Sequence, residues 1–184
     1  MDRAGGRVVT AVPGDDGPGA DVAAAELIHQ LYREHAVRLV RVAVLLVGDQ
    51  PSAEDVVQEA FFGLYRGMGR LRDRDKALPY LRAAVVNGAR SVLRSRKRAA
   101  LHRVPHEPPV WSAESAAMDS EDRRELLAAV AALPRRMREV LALRYYLDLT
   151  DTQIGEALGI SRGTVSSTGS RGLAALARKL KEEL

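Results

Sequence analysis

Apolar residues recur at helical spacing through most of this chain, and the recurrence fails most completely over residues 99–120, where Pro105, Pro108 and Pro109 fall close together. Proline lacks the backbone N–H and its ring clashes with the preceding turn, so no continuous helix crosses that stretch. No segment shows the strict apolar–polar alternation of a half-buried strand. The expected fold class is therefore all-α: two small helical domains joined by a flexible linker. The expected boundaries are a leader over 1–22, a first domain over 23–98, a linker over 99–120 and a second domain over 121–184. The leader is rich in Gly, Pro and Asp without periodicity, which disfavours a packed element.

Within the first domain, Leu27, Ile28, Leu31, Tyr32, Leu39, Val40, Ala43, Leu46 and Val47 mark one amphipathic helix. Pro51 and Ser52 open a second, with Ser52 as the expected N-cap and Asp55 at the capping-box position. Val56, Val57, Ala60, Phe61, Leu64 and Tyr65 form its expected buried face. A third helix runs from about Ala77 to Arg98, with Leu78, Leu81, Val85, Ala89 and Val92 inward. In the second domain the spacing returns at Leu126, Leu127, Val130 and Leu133, stops at Pro134, and resumes with Met137, Val140, Leu141 and Tyr145.

Charge is segregated along the chain. The formal net charge is only +4, from 28 Lys+Arg against 24 Asp+Glu. Between Val42 and Tyr65 there is no Lys or Arg but four acids: Asp49, Glu54, Asp55 and Glu59. Between Lys76 and His106 there is no acid but eight bases: Lys76, Arg82, Arg90, Arg94, Arg96, Lys97, Arg98 and Arg103. A block of +8 leaves −4 for the remainder and points to a polyanion, with nucleic acid first among the candidates. Asn87, Arg90, Arg94, Lys97 and Arg98 share one helical face, at offsets 0, 3, 7, 10 and 11.

Other classes fall away on composition. The chain has no cysteine, which excludes a disulfide framework and a thiolate zinc site and favours a reducing compartment. No apolar run approaches the ~20 residues of a membrane span, and the first residues carry no long apolar segment of a secretory signal. The expectation is a cytoplasmic protein with no membrane insertion.

Residues 149–180 carry the most specific local pattern. Thr150 and Gln153 form a capping box, with Leu149 positioned to staple onto Ile154. Ile154 and Leu158 face inward, and Gly155 permits a close helix crossing. Gly159 supplies the positive φ of a tight helix end. Ser161 caps the next helix, which Val165, Leu173, Leu176 and Leu180 anchor. Its outer face offers Arg162, Thr164, Ser166, Ser167, Ser170 and Arg171. Two helices joined by a short Gly turn, the second presenting polar side chains, make the helix-turn-helix that enters a major groove.

Two decoys fail on context. Gly159-Ile160-Ser161-Arg162-Gly163 matches the G-x-S-x-G nucleophile elbow, which needs a preceding strand and a following His. Helices precede it, and His29, His35, His102 and His106 all come earlier in the chain. His102 and His106 have metal-like spacing, but Pro105 interrupts the helix that would align them. No catalytic residue, cofactor or metal site is expected, and the chain is not read as an enzyme. A stand-alone helix-turn-helix regulator is the competing reading; it gives no reason for an acidic helix beside a basic one.

The order of these parts resembles the bacterial sigma-70 family, in its extracytoplasmic-function (ECF, group 4) branch, and is similar in style to the SigE-like actinobacterial subset. The segment SAEDVVQEAFFGLYR (52–66) looks like region 2.2 of that family, and PYLRAAVVNGARSVLRSRKR (79–98) like regions 2.3 to 2.4. VLALRYYLDLTDTQIGEALGISRGTV (140–165) looks like region 4. The resemblance implies an RNA polymerase sigma factor that directs the core enzyme to promoters and aids their opening. It implies that Glu54, Asp55, Gln58 and Glu59 dock on the β′ clamp helices of core RNA polymerase, with a second contact to the β flap. Leu71, Arg72, Lys76 and Asn87 would hold an extruded −10 base, and Arg90, Arg94, Lys97 and Arg98 the adjacent phosphates. Arg162, Thr164, Ser166, Ser167, Ser170 and Arg171 would meet the −35 element. Promoter DNA and an anti-sigma factor are the further partners implied.

The recognition helix departs from the family pattern, which places a Lys or Arg after G-T-V and another basic residue two positions later. Ser166, Ser167, Thr168 and Gly169 stand there instead, and the glycine costs ~1 kcal/mol of helix propensity against alanine. Weaker and less salt-dependent −35 binding is expected. Ser166→Lys should steepen the dependence of log K on log salt by about 0.9, the increment of one added phosphate contact. A fluorescence-anisotropy salt titration on duplex DNA checks it, and an unchanged slope would remove Ser166 from the interface.

Overall fold

The computed structural model describes residues 18–71, 73–101 and 121–182. The described residues are helical throughout, apart from short connections. The first half contains α1 (Pro18–Val47), α2 (Gln50–Gly67) and α3 (Ala77–Leu101), with single 3₁₀ turns at Met68–Arg70 and Arg74–Lys76 between α2 and α3. The second half contains α4 (Glu121–Ala131), α5 (Arg135–Tyr146), α6 (Asp151–Leu158) and α7 (Arg162–Glu182). Helix α1 starts five residues inside the stretch read as leader, and α3 runs to Leu101, three residues into the stretch read as linker. The rest of both stretches, with His102 and His106, lies outside the described residues, as does Arg72.

Helices α1, α2 and α3 pack mutually. Leu39, Val42 and Ala43 of α1, Val57 and Leu64 of α2, and Leu81, Val85 and Val86 of α3 are nearly inaccessible. Tyr65 was expected in this core and is instead 61% exposed. It adjoins Leu64, whose side chain already fills the inward position, and neighbouring helical residues point about 100° apart. Tyr32 is likewise exposed, although its ring packs edge-on to Phe61 with centroids 5.2 Å apart. The N-cap of α2 is Asp49, not Ser52: the Asp49 carboxylate accepts from the Ser52 N–H at 3.0 Å. Helix α2 therefore begins one turn earlier, and Pro51 sits in the first turn, where its missing N–H costs nothing.

The second half is built as its caps dictate. Thr150 and Gln153 form a reciprocal capping box, and Gly159 adopts φ +65° at the end of α6. The Ser161 hydroxyl accepts from the Thr164 N–H at 3.2 Å, opening α7. A Cβ at Gly155 would lie 2.7 Å from the Ile160 carbonyl oxygen, so the turn closes only over glycine. Val165, Thr168, Gly169 and Gly172 form the buried stripe of α7, at offsets 0, 3, 4 and 7. At Gly172 a Cβ would press on Leu141 and Met137 at 3.2–3.3 Å, and at Gly169 on the Arg144 guanidinium. Small residues thus seat α7 on α5. Leu173, expected as an anchor, is 40% exposed because the small-residue stripe, rather than the leucines, faces α5 here.

The two halves are packed together. Helix α1 lies against α5 and α4, and α3 lies against α6. Their buried residues merge into one apolar cluster that runs from Leu39, Val42 and Leu46 to Leu143, Ile154 and Val165.

The glycines give a prediction of opposite signs. Gly155→Ala should lower stability by about 1–3 kcal/mol, because overpacking against a backbone oxygen outweighs the gain in helix propensity. Gly163 in the first turn of α7 has open space around its Cβ direction. Gly163→Ala should stabilise by about 0.4–1 kcal/mol. Urea unfolding of the two variants checks the pair.

Candidate nucleic-acid interface

Helix α2 presents Glu54, Asp55, Gln58 and Glu59 on its exposed side, opposite the face that buries Val56, Val57, Ala60 and Phe61. Glu54 accepts from Gln50 at 2.7 Å, and Glu59 pairs with Arg66 at 2.6 Å. Both contacts lie in solvent, where an ion pair contributes little. The acidic character of the face is therefore available to a partner. Next to it stand Phe62 and Tyr65, exposed by 58% and 61%, with the Arg66 guanidinium 5.7 Å from the Phe62 ring centre. Periodicity alone had assigned Tyr65 inward and left Phe62 without a role; their adjacency to the acids was the signal that could have found this mixed patch.

The basic block of α3 divides into two sets. Asn87, Arg94, Lys97 and Arg98 are exposed, as is Lys76 in the turn before α3, while Leu71 is half-buried against the apolar cluster. Three other members face inward. Arg96 donates to the Val47 carbonyl at 2.6 Å, the Ser52 hydroxyl at 2.6 Å and the Asp49 carboxylate, which stitches the end of α1 to the start of α2. Burial pushes the Asp49 pKa up, but the hydrogen bonds from Ser52 and Arg96 outweigh it and hold the carboxyl below its ordinary value. Arg82 is half-buried and lines a crevice between α3 and α6 with Pro79, Ala83, Gln153 and Glu156.

Arg90 is the third. Its Nε and Nη2 donate to the two Glu139 carboxylate oxygens of α5 at 2.7 and 2.8 Å, and its Nη1 reaches Asn87 Oδ1 at 3.3 Å. The Glu139 side chain is 2% exposed and also meets Arg136 at 3.1 Å and Arg135 at 3.6 Å. The hydrogen bond to Glu139 raises the Arg90 pKa further, against the opposing effect of burial. Removing one partner of a buried pair like this costs about 3–5 kcal/mol, because the other charge is left uncompensated. In this arrangement the guanidinium of Arg90 is committed to the second half of the chain.

On α7 all six residues of the outer face, Arg162, Thr164, Ser166, Ser167, Ser170 and Arg171, are exposed. Ser167 and Ser170 donate to the Thr164 and Ser166 carbonyls, and Arg171 Nε to the Ser167 carbonyl at 3.2 Å. The recognition helix is thus lined by short side chains held close to its backbone. Thr168 is 4% exposed and Gly169 is buried. Neither belongs to the outward face, so the glycine expected to be a weakness is what admits the Arg144 side chain, which is paired with Asp151. Periodicity had put the anchors of α7 at Val165, Leu173, Leu176 and Leu180 and missed the small-residue stripe that faces α5.

Comparison with known proteins agrees with this layout. Residues 31–99 match the family model Sigma-70 region 2, and residues 129–178 match Sigma-70, region 4. The chain is 34% identical over 147 residues to the RNA polymerase sigma-E factor of Streptomyces avermitilis, covering 79% of this chain and 78% of that protein. It is 33% identical over 170 residues to the ECF RNA polymerase sigma factor SigL of Mycobacterium tuberculosis, covering 89% and 94% respectively. Among solved structures, CnrH in complex with the cytosolic domain of CnrY is similar with a TM-score of 0.68 at 19% identity, over 90% of this chain and 99% of that one. The sigma factor RpoE of Bartonella quintana, in complex with the anti-sigma factor NepR, is similar with a TM-score of 0.67 at 20% identity, over 83% and 97%. Two helical units, the second a helix-turn-helix, follow in the order of the two matched regions. The chain belongs to the sigma-70 family and is an RNA polymerase sigma factor of its ECF branch.

Proposed function

We propose that the two exposed faces of the first half divide the work of a sigma factor between core enzyme and promoter. The observation that carries this is that α2, with its open acidic–aromatic face, packs against α3, with its open basic face. Glu54, Asp55, Gln58 and Glu59 dock on the β′ clamp helices. Leu71, Arg72, Lys76 and Asn87 engage an unstacked base of the −10 element, and Arg94, Lys97 and Arg98 follow the neighbouring phosphates. Arg90 joins them once it is released from Glu139.

Unstacking a base costs a few kcal/mol, which a shaped pocket and phosphate contacts offset. Phosphate contacts supply affinity and register and leave sequence choice to the base pocket. Helix α7 reads the −35 element through Arg162, Thr164, Ser166, Ser167, Ser170 and Arg171, with the second half also touching the β flap. The short serines favour close approach of the backbone over long cationic reach. An anti-sigma factor that covers these faces would hold the protein off the polymerase. No described helix is long and apolar enough to cross a membrane, and we place the activity in the cytoplasm, with the polymerase.

The test combines the full chain with core RNA polymerase on promoter DNA. Promoter-dependent transcripts are expected, and failure to bind the core enzyme would sink the proposal. The double substitution Glu54→Lys, Asp55→Lys should weaken core binding at least about tenfold, the effect of like-charge juxtaposition at an interface, while leaving thermal stability nearly unchanged. Arg94→Ala, Lys97→Ala and Arg98→Ala together should leave core binding intact and flatten the salt slope of single-strand binding by about 0.7 per lost phosphate contact.

A further inference from the structure

The outer face of α7 carries two cations, Arg162 and Arg171, and the hydroxyls of Thr164, Ser166, Ser167 and Ser170. Most of these hydroxyls are engaged. Thr164 Oγ1 lies 2.9 Å from Ser161 Oγ, Ser167 donates to the Thr164 carbonyl at 3.2 Å, and Ser170 donates to the Ser166 carbonyl at 3.1 Å. The Ser166 side chain is exposed, and its hydroxyl has no hydrogen bond to another described residue. The two arginines differ in the same way. Arg171 Nε is bound to the Ser167 carbonyl at 3.2 Å, whereas the exposed Arg162 has no such bond among the described residues. Arg162 lies four positions before Ser166, so the two are neighbours one helical turn apart.

The backbone of this stretch is also unusual. From Gly163 to Ser170 the residues are Gly, Thr, Val, Ser, Ser, Thr, Gly and Ser, each a poorer helix former than alanine. Their helical form therefore depends on seating the small-residue stripe against α5. A helix held by packing rather than by propensity opens locally at lower cost. Opening presents Ser166 in the extended form that a kinase cleft accepts.

We propose that Ser166 is a phosphorylation site that turns off the −35 face: a protein serine/threonine kinase transfers the γ-phosphoryl group of ATP to it, and the phosphate then engages Arg162. This rests on the −35 reading of α7 given above. In the transfer Ser166 Oγ forms a bond to the γ-phosphorus, and the bond from that phosphorus to the β–γ bridging oxygen breaks. ADP leaves, and the hydroxyl proton passes to the catalytic base of the kinase.

Charge decides whether one phosphoryl group is enough. Arg162 and Arg171 give the six outer residues a charge of +2, and a phosphoserine carries about −1.5 to −2 at neutral pH. A single modification thus brings the face to about zero, where two further cations would have left it positive. The phosphate acts twice. It repels the DNA backbone, and its oxygens take the Arg162 guanidinium in charge-assisted hydrogen bonds one turn away. That pairing holds the modified side chain on a folded helix, so the chain keeps its structure and loses its grip on duplex DNA.

The test has two arms. In the first, the chain is isolated from the cells that make it, and the tryptic peptide Gly163–Arg171 is sequenced by mass spectrometry. A phosphoryl group on Ser166 is expected; a peptide found only unmodified, or modified at other hydroxyls and not at Ser166, overturns the proposal. In the second, phosphoserine is placed at position 166 of the full chain by stop-codon suppression, and anisotropy reads binding to a labelled mixed-sequence duplex. Binding should weaken at least about tenfold, the effect of like charges brought together, and the salt slope should flatten by about 0.9 as Arg162 is withdrawn. Arg162→Ala should flatten the slope of the unmodified chain and add little in the phosphoserine chain; additive losses overturn the pairing with Arg162. Circular dichroism should show native helicity in the phosphoserine chain. If it does not, Ser166→Glu carries the same measurement, with weaker binding expected in smaller measure. Unchanged binding in a natively helical chain, while Arg162→Ala or Arg171→Ala weakens it, overturns the switch. If those two variants also change nothing, it is the −35 reading of α7 that has failed.

Discussion

A carboxylate in the middle of a helix, 2% exposed, is the constraint around which this molecule is arranged. Burying an uncompensated charge is expensive, and Arg135 and Arg136, on the same helix as Glu139, leave it only partly matched. Arg90 completes the set from α3. The pair joins α3 to α5, while α6 lies along α3 and α1 lies against α5. Arg38 and Arg138 then tie the same two halves at carbonyls and a carboxylate on either side of the apolar cluster. The hydrophobic contact is non-directional and would tolerate sliding; the forked pair is directional and sets the register.

Seven of the eight bases in the basic block lie among the described residues, and they serve two purposes. Arg90 and Arg96 hold helices to one another and Arg82 is half-buried beside α6, whereas Lys76, Arg94, Lys97 and Arg98 stay in solvent. Arg96 shows the structural role most simply, since it satisfies the carbonyl at the end of α1 and the acid that caps α2. Such helix-end carbonyls have no partner within their own helix. Net charge said little about this chain; the sorting of charge, first along the sequence and then between inner and outer faces, says most of what is known of its surfaces.

Local features were legible because they depend on residues a few positions apart. The capping box of Thr150 and Gln153, the left-handed Gly159, the Ser161 cap and the stop at Pro134 are all as the sequence implied. The N-cap of α2 was misplaced because Asp49 and Ser52 are both good caps, and the choice fell to Asp49 through Arg96, 47 residues away. Tyr65 and Leu173 were misjudged for a related reason. Periodicity gives a stripe, while the neighbouring helix decides where the stripe ends. The commitment of Arg90 to Glu139 was not legible at all, since an arginine on a basic helix face reads identically whether it meets water, a phosphate or a carboxylate 49 residues away.

The central claim is that the Arg90–Glu139 pair couples the two halves of the free chain, and a double-mutant cycle on stability tests it most directly. Arg90→Gln, Glu139→Gln and the double variant are compared with the parent by urea unfolding of the full chain. The account predicts that the double variant is more stable than the sum of the single losses implies, with a coupling of at least about 1 kcal/mol, within the range found for residues in direct contact. Losses that simply add, with no coupling, would contradict it.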